Sequence, residues 1–172
     1  MQTANIVLKN NRKSSNLKLV TDKNLREFNF GSYEGEFNKV MQADVAKSKN
    51  MSLEGYLEKG VDPREYANKV SELDKKRSEG EKNWEAENYK QIKTRVDKGM
   101  KKIGKKAEEN GDNNILLVSH GLTIRTMIDM YSNDANSTVD IDNGSVTELI
   151  YKNGEYYLNK ANDTNYLKKV ND

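Results

Sequence analysis

His120 is the only histidine in the 172-residue sequence, and it follows a run whose order could do chemistry, Ile115-Leu116-Leu117-Val118-Ser119-His120-Gly121. Four apolar residues without polar alternation predict a short buried strand of a parallel sheet. Gly121 ends that strand, and Thr123-Ile124-Arg125-Thr126-Met127-Ile128 resumes with helical spacing. His120 is therefore expected at the carboxyl end of a strand, just before a helix amino terminus. Ligands of open α/β sheets bind there, and the free N–H groups of such a terminus favour an anion such as phosphate. A lone histidine at a strand end is often only structural; the strand–His–Gly–helix order is what points to a ligand.

Several elements must hold this junction in place. Tyr89, Ile92, Val96, Met100, Ile103 and Ala107 recur in steps of three and four and predict an amphipathic helix, closed by Asn110-Gly111-Asp112 with Gly111 as a left-handed cap. It leads directly into the Ile115–Val118 strand. Beyond the helix that starts at Gly121, Ser145–Tyr151 and Tyr156–Leu158 flank Asn153-Gly154, the signature of a β-hairpin. Upstream, residues 1–8 read as a helix without a cap, and Leu17–Val20 as a short alternating strand. Leu25 to Gly35 carries two glycines and several aromatics and reads as an irregular, packed loop, where function concentrates. From Phe37 to Ala86 the chain is rich in Lys and Glu and holds the single proline, Pro63. This stretch is expected to form short helices making a lid or insert, with Met41, Val45, Tyr56 and Leu57 as its small core.

The composition narrows the function classes. Hydrophobic residues make up 34% and charged residues 33%, which suits a modest core under a well-solvated surface. A net charge of +2, with lysines dispersed among glutamates, argues against nucleic acid as a partner. There is no cysteine, so neither a disulfide framework nor a thiolate nucleophile or metal site is available. No run is long enough to span a membrane, and the first residues show no signal-peptide pattern.

Taken together, these segments resemble the histidine phosphatase superfamily, the phosphoglycerate-mutase-like proteins. Gln2-Thr3-Ala4 is similar to the end of the family's Arg-x-x-x-Thr-Ala segment. Leu25-x-Glu27 followed by Gly31-x-x-Glu34-Gly35 resembles its Leu-x-Glu and Gly-x-x-Glu-Gly segment. Residues 87–96 resemble the helix before the last catalytic strand, and Val118-Ser119-His120-Gly121 resembles the second-histidine motif. The resemblance implies a three-layer α/β fold with a central, mostly parallel sheet, and a single domain over residues 1–172 with 37–86 as a helical lid. The family's nucleophile, a histidine in an Arg-His-Gly motif on an early strand, has no match. The sequence thus resembles the carboxy-terminal two-thirds of a family member, without its amino-terminal strand or strands.

What the resemblance implies chemically is hydrolysis of a phosphate monoester through a phosphohistidine, with no metal or other cofactor. His120 would hold the equatorial oxygens of the transferring phosphoryl group, and Glu27 would be general acid toward the leaving alkoxide and then general base toward water. Ser119 and the N–H groups of Gly121 and Leu122 would be further phosphate donors, while Glu34 would fix the loop and Arg125 form a structural ion pair. Lacking the nucleophile, the chain as written is expected to be inactive, or to be a non-catalytic module that binds an anion or a partner. The implied partner is a phosphorylated small molecule. A missing first strand also leaves open a homodimer through the exposed sheet edge.

Overall fold

Wherever the sequence has a strong helical period or a strong turn signal, the chain follows it. The computed structural model describes residues 2–11, 17–77, 84–133 and 141–168. In chain order the elements are α1 (Gln2–Asn10), α2 (Asn38–Ser48), α3 (Leu53–Glu58), α4 (Pro63–Arg77), α5 (Tyr89–Asn110), α6 (Gly121–Tyr131), the hairpin β1 (Val146–Lys152) and β2 (Glu155–Asp163), and α7 (Asn165–Lys168). Two 3-10 turns, Lys23–Leu25 and Gly31–Tyr33, shape the loop between α1 and α2.

Helix α5 is the spine. A capping box starts it: the Asn88 side chain accepts from Gln91 N, and the Gln91 side chain accepts from Asn88 N. Gly111 ends it in the left-handed conformation, at φ 70°. Its apolar stripe, Ile92, Val96 and Met100, is buried against Leu25 and Phe28 of the loop, Ala67 of α4 and Met127 of α6. The hairpin closes over the same cluster through Leu149 and Tyr156, and the Tyr156 hydroxyl donates to the Met100 carbonyl at 2.9 Å. Asn153 and Gly154 both take positive φ, as a tight two-residue hairpin turn requires. A second cluster forms around Met41, Val45, Tyr56, Tyr66 and Val70 of the helices in 37–86, and it includes Tyr33 from the loop. Phe30 and Leu122 pack against both clusters, so the two are continuous. Leu57 is an exception to the expected insert core: it lies largely exposed.

The two short segments expected to be strands depart from that reading. Leu17–Val20 and Ile115–Val118 are neither helix nor strand, and the two-stranded antiparallel hairpin is the sheet assigned among the described residues. Ile115, Leu116, Leu117 and Val118 are 50, 68, 36 and 38% exposed, so the stretch read as a buried central strand lies at the surface. A strand is stabilised only by a neighbour that takes its N–H and C=O groups and by cover on its faces. Among the described residues, no strand supplies the first to 115–118. Helix α1 likewise buries none of its residues.

The loop carrying Glu27 is pinned from the α4 side by Asp74. That carboxylate is buried and accepts from Ser32 N at 2.7 Å and Ala86 N at 2.8 Å. Burial pushes its pKa up, but the hydrogen bonds from Ala86 and Ser32 outweigh this and hold it below the usual value. Gly31 makes the approach feasible. At φ 61°, a Cβ there would stand 2.4 Å from the Asp74 carboxyl carbon. Gly31→Ala is therefore expected to lower stability by about 2–4 kcal/mol, combining left-handed strain with disrupted bonds to a buried carboxylate. A urea midpoint unchanged from wild type would contradict this.

Candidate functional site

Helix α6 begins without a cap of its own. His120 stands at the N-cap position in extended conformation (φ −123°, ψ 160°), its carbonyl accepts the first helical bond from Ile124 N at 2.9 Å, and its side chain makes no capping hydrogen bond. The orphan N–H groups of the first turn need an acceptor, and Glu27 supplies it from 95 residues away. Its Oε2 accepts from Leu122 N at 3.2 Å and its Oε1 from Thr123 N at 3.1 Å. A carboxylate at this end is also favoured by the helix dipole. The hydroxyl of Thr123 lies 2.8 Å from the Arg26 carbonyl and 3.0 Å from Glu27 Oε1, so its one proton can serve either oxygen. Thr123 is fully buried.

The predicted pair therefore comes together. Glu27 binds the residue two places after His120, a stretch of chain that spans at most about 7 Å. His120 itself is exposed, and a Cβ built at Gly121 would meet nothing within 4 Å, so the start of α6 is open at Gly121. Two of the expected phosphate donors are engaged otherwise. The Ser119 hydroxyl donates to the Leu25 carbonyl at 2.9 Å, and the Leu122 N–H is on Glu27. Both fasten the Glu27 loop to the His120 junction. Glu34 accepts from Phe30 N at 2.9 Å and so fixes its own loop. Arg125 donates to the Val61 carbonyl, tying α6 to the turn before α4.

A second charged cluster holds the same loop from behind. Glu87 accepts two hydrogen bonds from Arg26 (2.6 and 2.9 Å), two from Arg95 (2.8 and 2.9 Å) and one from Asn29 N (3.0 Å). Burial would raise the Glu87 pKa; the bonds from Arg26, Arg95 and Asn29 outweigh it and bring it down to about 2. Reading the chain in one dimension did not single out Thr123, Glu87 or Arg95 as part of the site. Glu87 and Arg95 sit at opposite ends of an ordinary i, i+8 spacing, and their shared partner, the 24–29 backbone, is some sixty residues away.

The chain matches the family model of the histidine phosphatase superfamily (branch 1) over residues 50–164. Among solved structures it is similar to the crystal structure of phosphoglycerate mutase from Bacillus anthracis str. Sterne, with 34% sequence identity and a TM-score of 0.83. That similarity covers 99% of this chain and 71% of the other. No curated protein matches the sequence. The α/β fold, with seven helices and a small sheet among the described residues, is thus that of a phosphoglycerate mutase. Among the described residues, no helix is long and apolar enough to cross a membrane.

The Glu87 cluster gives a defined acid response. Its carboxyl is held below its ordinary 4.5, so its contribution is complete above about pH 4.5 and is lost as pH falls toward 2. The shift corresponds to about 3 kcal/mol. Urea unfolding at stepped pH should show the wild type losing stability through this window, and Glu87→Gln, already weaker at neutral pH, should lose less there. Parallel acid limbs for the two proteins would contradict the assignment.

Proposed function

Because the chain belongs to the histidine phosphatase superfamily, we propose that His120 and Glu27 are the phosphate-facing half of a phosphoryl-transfer site. We propose further that this chain by itself holds a phosphate group without turning it over. The observation that carries the reading is the Glu27 carboxylate seated on the first turn of the helix that His120 opens. Protonated, His120 would place positive charge on the equatorial oxygens, where charge is spread in the transition state. Glu27 would give its proton to the leaving alkoxide as the phosphorus–oxygen ester bond breaks, and take one from water as the phosphohistidine is hydrolysed. The attacking nitrogen in that sequence belongs to a second histidine, and the sequence holds one. His120 flanks the phosphoryl group in this reading and does not attack it in line.

The substrate class is a phosphate monoester. Hydrolysis and transfer between hydroxyls would use His120 and Glu27 in the same roles, and we take hydrolysis as the reaction of a complete site. Residues 37–86 serve as its lid: Val61, before α4, is held by Arg125, and Leu122 packs against the lid's own core. The exposed apolar run Ile115–Val118 is taken as the edge through which a second copy can pair.

A single histidine gives a single imidazole resonance, which makes the test direct. Titrating inorganic phosphate should move the His120 signal with an apparent Kd of about 10 mM, near −2.7 kcal/mol. No movement by about 100 mM, the same scale extended tenfold, would sink the binding site. On an aryl phosphate the chain should show no turnover above His120→Ala, since loss of a nucleophile costs on the order of 10⁴–10⁶ in rate. Activity that clearly exceeds this control and survives repurification would contradict the reading. Fusing a strand bearing Arg-His-Gly to the amino terminus should confer activity and give a monomer, whereas the chain by itself should show a concentration-dependent dimer in sedimentation.

A further inference from the structure

The guanidinium of Arg95 is fully committed to the stretch of backbone that carries Glu27. An arginine offers five N–H donors in a rigid fork, and all five have acceptors here. Nε donates to Glu87 Oε1 at 2.8 Å and Nη2 to Glu87 Oε2 at 2.9 Å. Nη1 donates to the carbonyls of Asn24 and Arg26, both at 2.9 Å, and Nη2 also donates to the Glu27 carbonyl at 3.1 Å. The Arg95 and Glu87 side chains are each 12% exposed, so this pair is largely withdrawn from water. Glu87 in turn holds Asn29 N, so the backbone is gripped on both sides of Glu27.

A fold could tie a loop down more simply, by packing Leu25 and Phe28 alone. What the five bonds add is orientation. They fix the carbonyls on the α5 side of the loop, while the Glu27 carboxylate on the other side meets Leu122 N and Thr123 N of α6. We infer that Arg95, braced by Glu87, is the positioning residue that sets where the Glu27 carboxylate stands relative to His120. Lysine cannot replace it: a point charge with three rotatable donors cannot span three carbonyls and a carboxylate in one plane. The role rests on reading Glu27 as the acid–base group of the site, but the geometry it asserts can be measured without turnover.

The experiment is NMR on the whole chain. In the wild type, the amide resonances of Leu122 and Thr123 should shift with pH in step with the Glu27 carboxyl carbon, and Glu27→Gln marks their position once the carboxylate is gone. Arg95→Lys should move both amides toward the Glu27→Gln positions and cut their pH-dependent shift by about half or more, as expected for charge-assisted bonds that no longer align. Resonances of the hairpin residues Lys152 and Gly154 should stay in place. If Arg95→Lys does not fold, Glu87→Gln removes the brace more gently and must move the same two amides. A variant that is less stable yet leaves Leu122 and Thr123 at wild-type positions would overturn the inference and make Arg95 a structural residue only. The phosphate titration of His120 is independent: its failure would remove the proposed function while leaving the amide result standing.

Discussion

One interaction organises the site: a helix whose first turn is capped by a carboxylate from elsewhere in the chain. Normally the residue at the N-cap turns its own side chain back onto the helix, usually a Ser, Thr, Asp or Asn. At α6 that position is His120, whose side chain makes no such bond, and Glu27 satisfies Leu122 N and Thr123 N instead. The consequence is a division of labour. The imidazole stays available at the surface, while the helix below it is terminated properly. The same two hydrogen bonds hold the Glu27 carboxylate on the first turn of the helix that His120 opens.

That arrangement has a cost that the surroundings must offset. The loop from Leu25 to Glu34 has no regular ladder of its own, so its backbone groups need partners. Three carboxylates provide them from three directions. Asp74 of α4 takes Ser32 N, Glu34 takes Phe30 N, and Glu87 takes Asn29 N. Arg95 and Ser119 then supply donors to the carbonyls of Asn24, Leu25, Arg26 and Glu27. A buried carboxylate is tolerable only when its hydrogen bonds are complete, and the depressed Asp74 and Glu87 pKa values show that bonding outweighs burial at both. The apolar residues between these anchors, Leu25 and Phe28, join the α5 core and make the loop part of the fold.

Local signals were legible in the sequence because they act over a few residues. The 3.6-residue stripe of α5, its Gly111 cap and the Asn153-Gly154 turn all depend on neighbours in the chain, and all appear at the expected places. The pairing of Glu27 with the His120 junction was legible through family resemblance rather than from spacing, since 95 residues separate Glu27 from Leu122. The hairpin strands around that turn were legible too, but the two isolated strands, Leu17–Val20 and Ile115–Val118, were not. Ile115–Val118 has the composition of a buried strand, but a strand is a property of a pair, and composition cannot reveal whether the partner is there. Leu57 fails for a related reason: one turn of a short helix does not determine which apolar residue faces inward, and Tyr56 took the core position. Ser119 and Leu122 were read as phosphate donors because they flank His120, whereas in the fold their protons serve the Glu27 loop. Thr123, Glu87 and Arg95 remained hidden because most of their partners lie far away in the chain and leave no periodic trace.

The central claim is that Glu27 and the first turn of α6 act as one unit, and a double-mutant cycle measures that unit directly. Glu27→Ala, Thr123→Val and the double variant would be compared with wild type by urea unfolding. The expected coupling is about 1–3 kcal/mol, the range for hydrogen bonds to a charged group within one network. Additive losses, with coupling near zero, would mean that the Glu27 carboxylate and the Thr123 side chain do not form one network in solution and would contradict the unit as described.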